Sequence, residues 1–393
     1  MLSILFSFFF YANYGQSAAF SQSCPEIGGV HAQPGCVAVA MAHVMAHNAF
    51  PTSCEGAVSY TSPSHGISVK EDFSAVSFDW QRLRNPSSAA DTLEISRMLY
   101  LCGAAARTDY RIQNSTASFP SMLSALVKNF HYDPDMAIYS RECYDRATWH
   151  SILMNELDEG RQVIMQANDV SQGSHAFVID GYQILSSDTL FHVNWGWEGL
   201  YNGYYNIDRL NPGNYLFSEE RRIVVSCQPD DEVQKVKQYL ECRVTLSDTV
   251  VIPGQNGVRA DIEVVNRAYR NFSGSYIVYL VDDKGVRTKI SRKEYTGDMQ
   301  TNYSHSSSFT FTSPDVPGIY TLVLEASPYA TYTYFTPLAF GDTSLDVNDA
   351  SAIQSPTVEP ADDDRAYDPS GRRMITPQGL VIKKGRKYHV LKK

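Results

Sequence analysis

Seven cysteines are spread through the 393-residue chain, and one of them, Cys36, opens a run whose composition suits a reactive thiol. Residues 36–50, Cys-Val-Ala-Val-Ala-Met-Ala-His-Val-Met-Ala-His-Asn-Ala-Phe, lie between Gly35 and Pro51. Ala and Met favour helix, Gly permits a tight entrance and Pro stops the element. The pattern therefore predicts a buried helix with Cys36 at its N-terminus. Unpaired N–H groups and the macrodipole at that end favour the thiolate, the nucleophilic form of cysteine. A plain core cysteine fits the same pattern, because free Cys is among the most buried residue types. The odd cysteine count leaves at least one thiol unpaired and is compatible with either reading.

His175 is the candidate base. It lies in Gly173-Ser-His-Ala-Phe-Val-Ile-Asp-Gly-Tyr182, at the mouth of an apolar strand. Gly173 and Ser174 form a flexible entry that lets the ring face a cleft and makes both candidate substrate contacts. A histidine held only by structural hydrogen bonds is the competing reading. Asn194 follows 19 residues later, on the next strand. Its amide oxygen, accepting from the imidazole N–H, would fix the ring without adding charge. Trp195 and Trp197 flank Gly196; an indole over that bond would exclude water, and both also fit as core anchors. Gly196 and Gly199 suit backbone that lines a cleft. By the period of two, Asp180 faces away from His175 and reads as structural.

Positioning these residues takes helices first and strands second. Apolar spacing predicts further helices over 91–103, 119–129 (with Pro120 in the first turn) and 147–158. Short β-branched and aromatic runs at 163–166, 176–182, 190–195, 203–207 and 223–225 predict successive strands, giving an α+β domain over 1–228. Residues 229–237 read as a charged linker. Alternating segments over 238–347, parted by turns such as Asp282-Asp-Lys-Gly285 and Pro317-Gly318, predict an all-β immunoglobulin-like sandwich. Residues 348–366 are Ser/Asp/Pro-rich and read as a flexible linker, and 367–393 as a short C-terminal module.

Charge narrows the partners. The net charge is −10, yet residues 371–393 hold eight Lys/Arg and no Asp/Glu, leaving 25 basic against 43 acidic residues elsewhere. An acidic body argues against nucleic acid. No cysteine pair has zinc spacing, so no metal or cofactor is expected. The first twelve residues resemble part of a signal h-region, with Ser17-Ala18-Ala19 as a possible cleavage site, although a basic n-region is lacking. No stretch reaches the roughly 18 apolar residues that span a membrane.

Three segments together resemble the streptopain family of cysteine peptidases, in the papain superfamily. They are His31-Ala-Gln-Pro-Gly-Cys-Val-Ala-Val-Ala-Met-Ala-His-Val-Met, His175-Ala-Phe-Val-Ile-Asp-Gly, and His192-Val-Asn-Trp-Gly-Trp-Glu-Gly with Asn202-Gly-Tyr-Tyr after it. Cys36 and His175 are 139 residues apart; papain-type enzymes place His and Asn roughly 130–150 residues after Cys. The resemblance covers about residues 14–226 and implies a papain-like fold. It makes Cys36 the nucleophile, His175 the base, Asn194 the orienting amide and Trp195 its aromatic shield. Tyr14-Gly-Gln16 resembles the early family segment whose Gln completes the oxyanion hole with the Cys36 N–H, and Gln166 matches a second glutamine lining the cleft. The family often has Gln where His43 stands. Family members usually carry a signal peptide and a long inhibitory propeptide, whereas about 13 residues precede Tyr14 here. A truncated or misassigned start, or a prodomain or inhibitor supplied separately, is therefore expected; the alternative is an unusual variant with a weakened oxyanion hole. Residues 367–393 resemble C-terminal sorting modules of secreted proteins, implying contact with secretion machinery or the cell surface.

The reading that follows is a secreted or cell-surface cysteine endopeptidase acting on protein or peptide substrates. Its competitors are a catalytically weak, peptidase-like adhesin and another Cys/His acyl-transfer enzyme, such as an amidase or a transglutaminase-like protein.

Overall fold

A computed structural model of the chain describes residues 12–186, 188–232, 239–330 and 334–348, with the backbone of four short strands between 366 and 390. Nearly all of the signal-like h-region, most of the 229–237 linker and most of the 348–366 linker lie outside the described residues.

Four main helices build one side of the first unit: α1 Cys36–Asn48, α2 Ala89–Ala105, α3 Phe119–Phe130 and α4 Arg146–Asp158. Helix α1 is buried from Val37 through Ala46. That explains a sequence that is apolar all round rather than striped. The side chains of Ser88, Ser118 and Asp145 cap α2, α3 and α4 by accepting backbone N–H groups three residues on. Pro120 stands in the first turn of α3, where a missing N–H costs nothing.

Six strands complete the unit: β1 Ala137–Ser140, β2 Val163–Asp169, β3 Gly173–Ile184, β4 Thr189–Asn194, β5 Gly203–Tyr205 and β6 Glu219–Val225. They form one antiparallel sheet in the order β1-β6-β2-β3-β4-β5. Strand β3 runs between two cores. Ala176 and Val178 join the core shared with α1, while Phe177 and Ile179 join the core shared with Trp149, Leu153 and Leu157 of α4. Burial on both faces accounts for the unbroken apolar run Ala176–Ile179. Edge strand β1, a hairpin of Ala57–Ser62 with Ile67–Asp72, a small ribbon of Glu26–Ile27 with Val30–His31 and the short helix Trp80–Arg84 go beyond the sequence expectation.

The second unit is two sheets around one core. Strands β7 Leu240–Leu246, β9 Val258–Asn266, β12 Ser304–Phe311 and β14 Leu338–Gly341 form one, in the order β12-β9-β7-β14. Strands β8 Val250–Val251, β10 Phe272–Val281, β11 Arg287–Met299, β13 Gly318–Pro328 and β15 Ser344–Val347 form the other, in the order β8-β15-β13-β10-β11. Val244, Val258 and Ile262 of the first meet Val278, Leu280 and Leu324 of the second. Val258–Asn266 alternates buried and less buried residues, as a strand with one solvated face must. In the C-terminal segment, Ala366–Tyr367, Arg373–Met374, Gly379–Lys383 and Arg386–Val390 pair antiparallel.

The two units meet along β1. The Ile138 N–H donates to the Arg267 carbonyl at 2.8 Å, and the Tyr269 N–H donates to the Met136 carbonyl at 3.1 Å. Beneath them the Glu241 carboxylate accepts from the Ser140 N–H at 3.1 Å and from Arg267 Nε at 2.6 Å.

Candidate active site

Gly35 makes the turn that puts Cys36 first in α1. Its φ is +89°, and a Cβ there would lie 2.9 Å from the Ser115 carbonyl oxygen, so neither the conformation nor the space admits a side chain. The first helical bond runs from the Val39 N–H to the Gly35 carbonyl at 3.1 Å. Cys36 is half-buried. Burial pushes its thiol pKa up, and the backbone N–H groups of Ala176, Val37 and Cys36 itself pull the other way without winning. The helix end and the Ala176 N–H thus offset part of the cost of charging a buried thiol. All seven cysteines are free thiols.

Ala176 is the residue after His175, so the sulfur lies against the strand that carries the imidazole. His175 is 8% exposed, and burial pushes its pKa down to about 4. Its Nε2 lies 2.8 Å from the Trp195 carbonyl oxygen. A carbonyl only accepts, so Nε2 carries the proton in that bond and the neutral ring presents Nδ1 as its basic atom. The Trp197 ring stacks on the imidazole at 4.7 Å and 22°, while Trp195 is 6.5 Å away and fully buried.

Two expected roles are thus reassigned by geometry. Asn194 does not reach the imidazole: its Oδ1 accepts the Gly196 N–H at 3.1 Å and its Nδ2 donates to the Ala12 carbonyl at 2.9 Å. The cause is strand parity. Asn194 pairs with Val178, and paired residues share a face; His175, three residues from Val178, points to the other. The orienting acceptor is the Trp195 backbone, and the face-on shield is Trp197. Asp180 points away from His175 and lies 2.5 Å from His192 Nδ1.

Gln16 lies in a segment stitched to the same loop. Tyr14 Oη donates to the Leu83 carbonyl at 2.8 Å, the Glu198 N–H donates to the Tyr14 carbonyl at 3.3 Å, and the Ser17 N–H donates to Glu198 Oε1 at 3.3 Å. Ser17-Ala18-Ala19 leads into a short helix, Ala18–Ser21, inside this domain. Gln16 is half-buried, and among the described residues its side chain forms no hydrogen bond with Cys36. A cavity of about 270 Å³ opens beside Cys36, with Gln166, Ser174 and Ala176 in its wall. Gly173, exposed at the strand end, is not part of that wall.

Residues 14–205 match the Peptidase C10 family. This segment, just under half of the chain, is similar to that family. It is 30% identical over 194 residues to streptopain of Streptococcus pyogenes, covering 47% of this chain and 48% of that protein. It is 27% identical over 215 residues to the thiol protease/hemagglutinin PrtT of Porphyromonas gingivalis, covering 51% of this chain and 24% of that protein. The structure of active interpain A cysteine protease from Prevotella intermedia superposes with a TM-score of 0.51 at 27% identity, over 58% of this chain and 95% of that one. The chain thus spans about half the length of the streptopain it matches. The streptopain-family resemblance and the papain-like peptidase fold both stand on these matches.

Several residues at the site escape sequence reasoning. In the sequence Trp197 fits core and shield equally, and its stacking on His175 depends on a tight loop that spacing alone does not give. Phe217 adds a ring 5.8 Å from His175. Phe119, Arg222 and, from the second unit, Asn302 line the cavity beside Cys36. Among the described residues no group of three His, Cys, Asp or Glu is placed to hold a metal ion, and no helix is long and apolar enough to cross a membrane.

Proposed function

We propose that this chain is a cysteine endopeptidase in which Cys36 attacks a substrate carbonyl and His175 handles the proton. The observation that carries the reading is the placing of Cys36 at the start of a buried helix, against the N–H of the residue that follows His175, at the edge of a cavity. The opposed burial effects on the two groups favour a neutral thiol–imidazole pair at rest. On attack, the thiol proton passes to Nδ1 of His175 as the S–C bond forms. The resulting imidazolium keeps its Nε2–H on the Trp195 carbonyl and lies under the Trp197 face, both of which favour a cation. The oxyanion is taken by the Cys36 N–H with the Gln16 amide. His175 then protonates the leaving amine as the C–N bond breaks, leaving a thioester. Water, deprotonated by His175, releases the acid and restores the thiol.

Trp195 supplies the acceptor and Asn194 the loop's internal ties, while Gln166, Ser174 and, at the entrance, Gly173 contact substrate. The second unit is an immunoglobulin-like spacer, and the C-terminal module serves secretion or surface attachment of an extracellular enzyme held in check by a propeptide or separate inhibitor. The test is intact mass after incubation with an epoxide inhibitor of cysteine peptidases. One adduct on the natural chain and none on Cys36→Ala, with casein cleavage by the first alone, is expected. A well-folded chain that takes no adduct sinks the reading.

A further inference from the structure

We propose that Arg222 turns the cavity beside Cys36 into a subsite for an acidic substrate side chain. The proposal rests on the peptidase reading above and names the substrate class of that site. Apart from Arg222, the wall of the cavity carries no formal charge: apolar groups of Val37, Phe119, Pro120 and Ile138, amides and hydroxyls such as Gln166 and Ser174, and the thiol of Cys36. Arg222 is its only Lys or Arg and faces no Asp or Glu within it. Its Nε is buried without a hydrogen-bond partner, and among the described residues the guanidinium forms no ion pair. The contrast with its neighbours is informative. Arg221 is held by Asp208 at 3.3 Å, and Arg141 and Arg146 share the same carboxylate. On either side of Arg222 the sheet offers Ser140 and Gln166, neither of which can neutralise it.

An unpaired buried donor is costly, and a guanidinium fork matches a carboxylate with two parallel hydrogen bonds. A Glu or Asp side chain of a bound peptide would supply that partner inside a cavity whose other end is the nucleophile. The strands hold Arg222 firmly: it is fixed between β1 and β2, one residue from the buried run Ile223–Val225. The subsite would therefore discriminate charge rather than adapt to it.

The experiment uses the full chain, Arg222→Gln and Arg222→Glu, with peptidyl acyloxymethyl ketones that alkylate Cys36 and carry Glu, Gln or Arg at each position within three residues of the warhead. Alkylation rate is read by intact mass, and iodoacetamide reports separately whether Cys36 is assembled in each variant. At one position the natural chain should react roughly ten- to a hundredfold faster with the Glu probe than with its isostere Gln, the range of a charge-assisted bidentate contact. Arg222→Gln should erase that ratio, and Arg222→Glu should favour the Arg probe. Equal rates for Glu and Gln at every position, or a ratio that survives Arg222→Gln, overturn the subsite. Failure to hydrolyse any peptide while these labelling ratios hold would instead count against the peptidase reading, so the two failures are distinct.

Discussion

His43 and His175 are both buried deeply enough that their pKa values are pushed down to about 4. Unfolded histidines titrate near 6.5. Between about pH 6.5 and 4 the unfolded chain therefore binds protons that the folded chain does not, and stability falls as pH falls through that window. His43 stacks on Tyr14 at 5.1 Å, and its Nε2 is buried without a partner. It contributes to this sensitivity from outside the reacting pair. His43→Gln should remove about one proton from the pH dependence. Relative to the natural chain it should gain about 2 kcal/mol at pH ~5 and nothing at pH ~7.5, read by urea unfolding. Parallel losses at both values would show that His43 titrates normally. Sequence makes both histidines visible as types. It cannot show that Trp195 orients His175 through a backbone oxygen, because a carbonyl has no residue signature, nor that Asn194 faces away, because pairing register is not written in either strand alone.

Elements at the site are coupled by glycines. Gly196 has φ +69°, and a Cβ there would lie 2.9 Å from Cγ1 of Val39, one turn into α1 from Cys36. The loop carrying the Trp195 carbonyl and the Trp197 face is thus pressed onto the helix that carries the thiol. Gly196→Ala should cost about 2–3 kcal/mol, part from the left-handed conformation and part from the clash, and should slow Cys36 alkylation. Val39→Ala in the same chain should recover the clash part alone, a non-additive result that a double-mutant cycle on urea unfolding would reveal. Strict additivity would mean that loop and helix are not in contact. The elements themselves are largely legible: α1, α3 and α4 fall within a few residues of their apolar runs, because helix and strand periodicities are local properties. Strand β1 is not, because its four residues Ala137–Ser140 carry no period of their own and are fixed by β6 on one side and the 267–269 loop on the other.

At the scale of the molecule, the second unit reaches the cavity beside Cys36. Asn302, held by its N–H on the Asn266 carbonyl and by the Arg267 guanidinium on its Oδ1, forms part of the wall beside Cys36. The support for that wall passes through Glu241, 2% exposed, which joins Arg267 to the backbone of Ser140. Arg222 pairs with the same Ser140, so the docking of the units and the position of the proposed subsite share one strand. Removing one partner of a buried ion pair strands the other. Glu241→Ala should therefore destabilise the chain by about 3 kcal/mol. Loosening the wall should also raise KM for peptides that fill the cavity, with less effect on the rate at which iodoacetamide labels Cys36, since the thiol's own helix is untouched. Unfolding curves and the KM-against-labelling split test this together. Lower stability with an unchanged KM would make the second unit a scaffold; a raised KM with intact labelling makes it part of the substrate cleft.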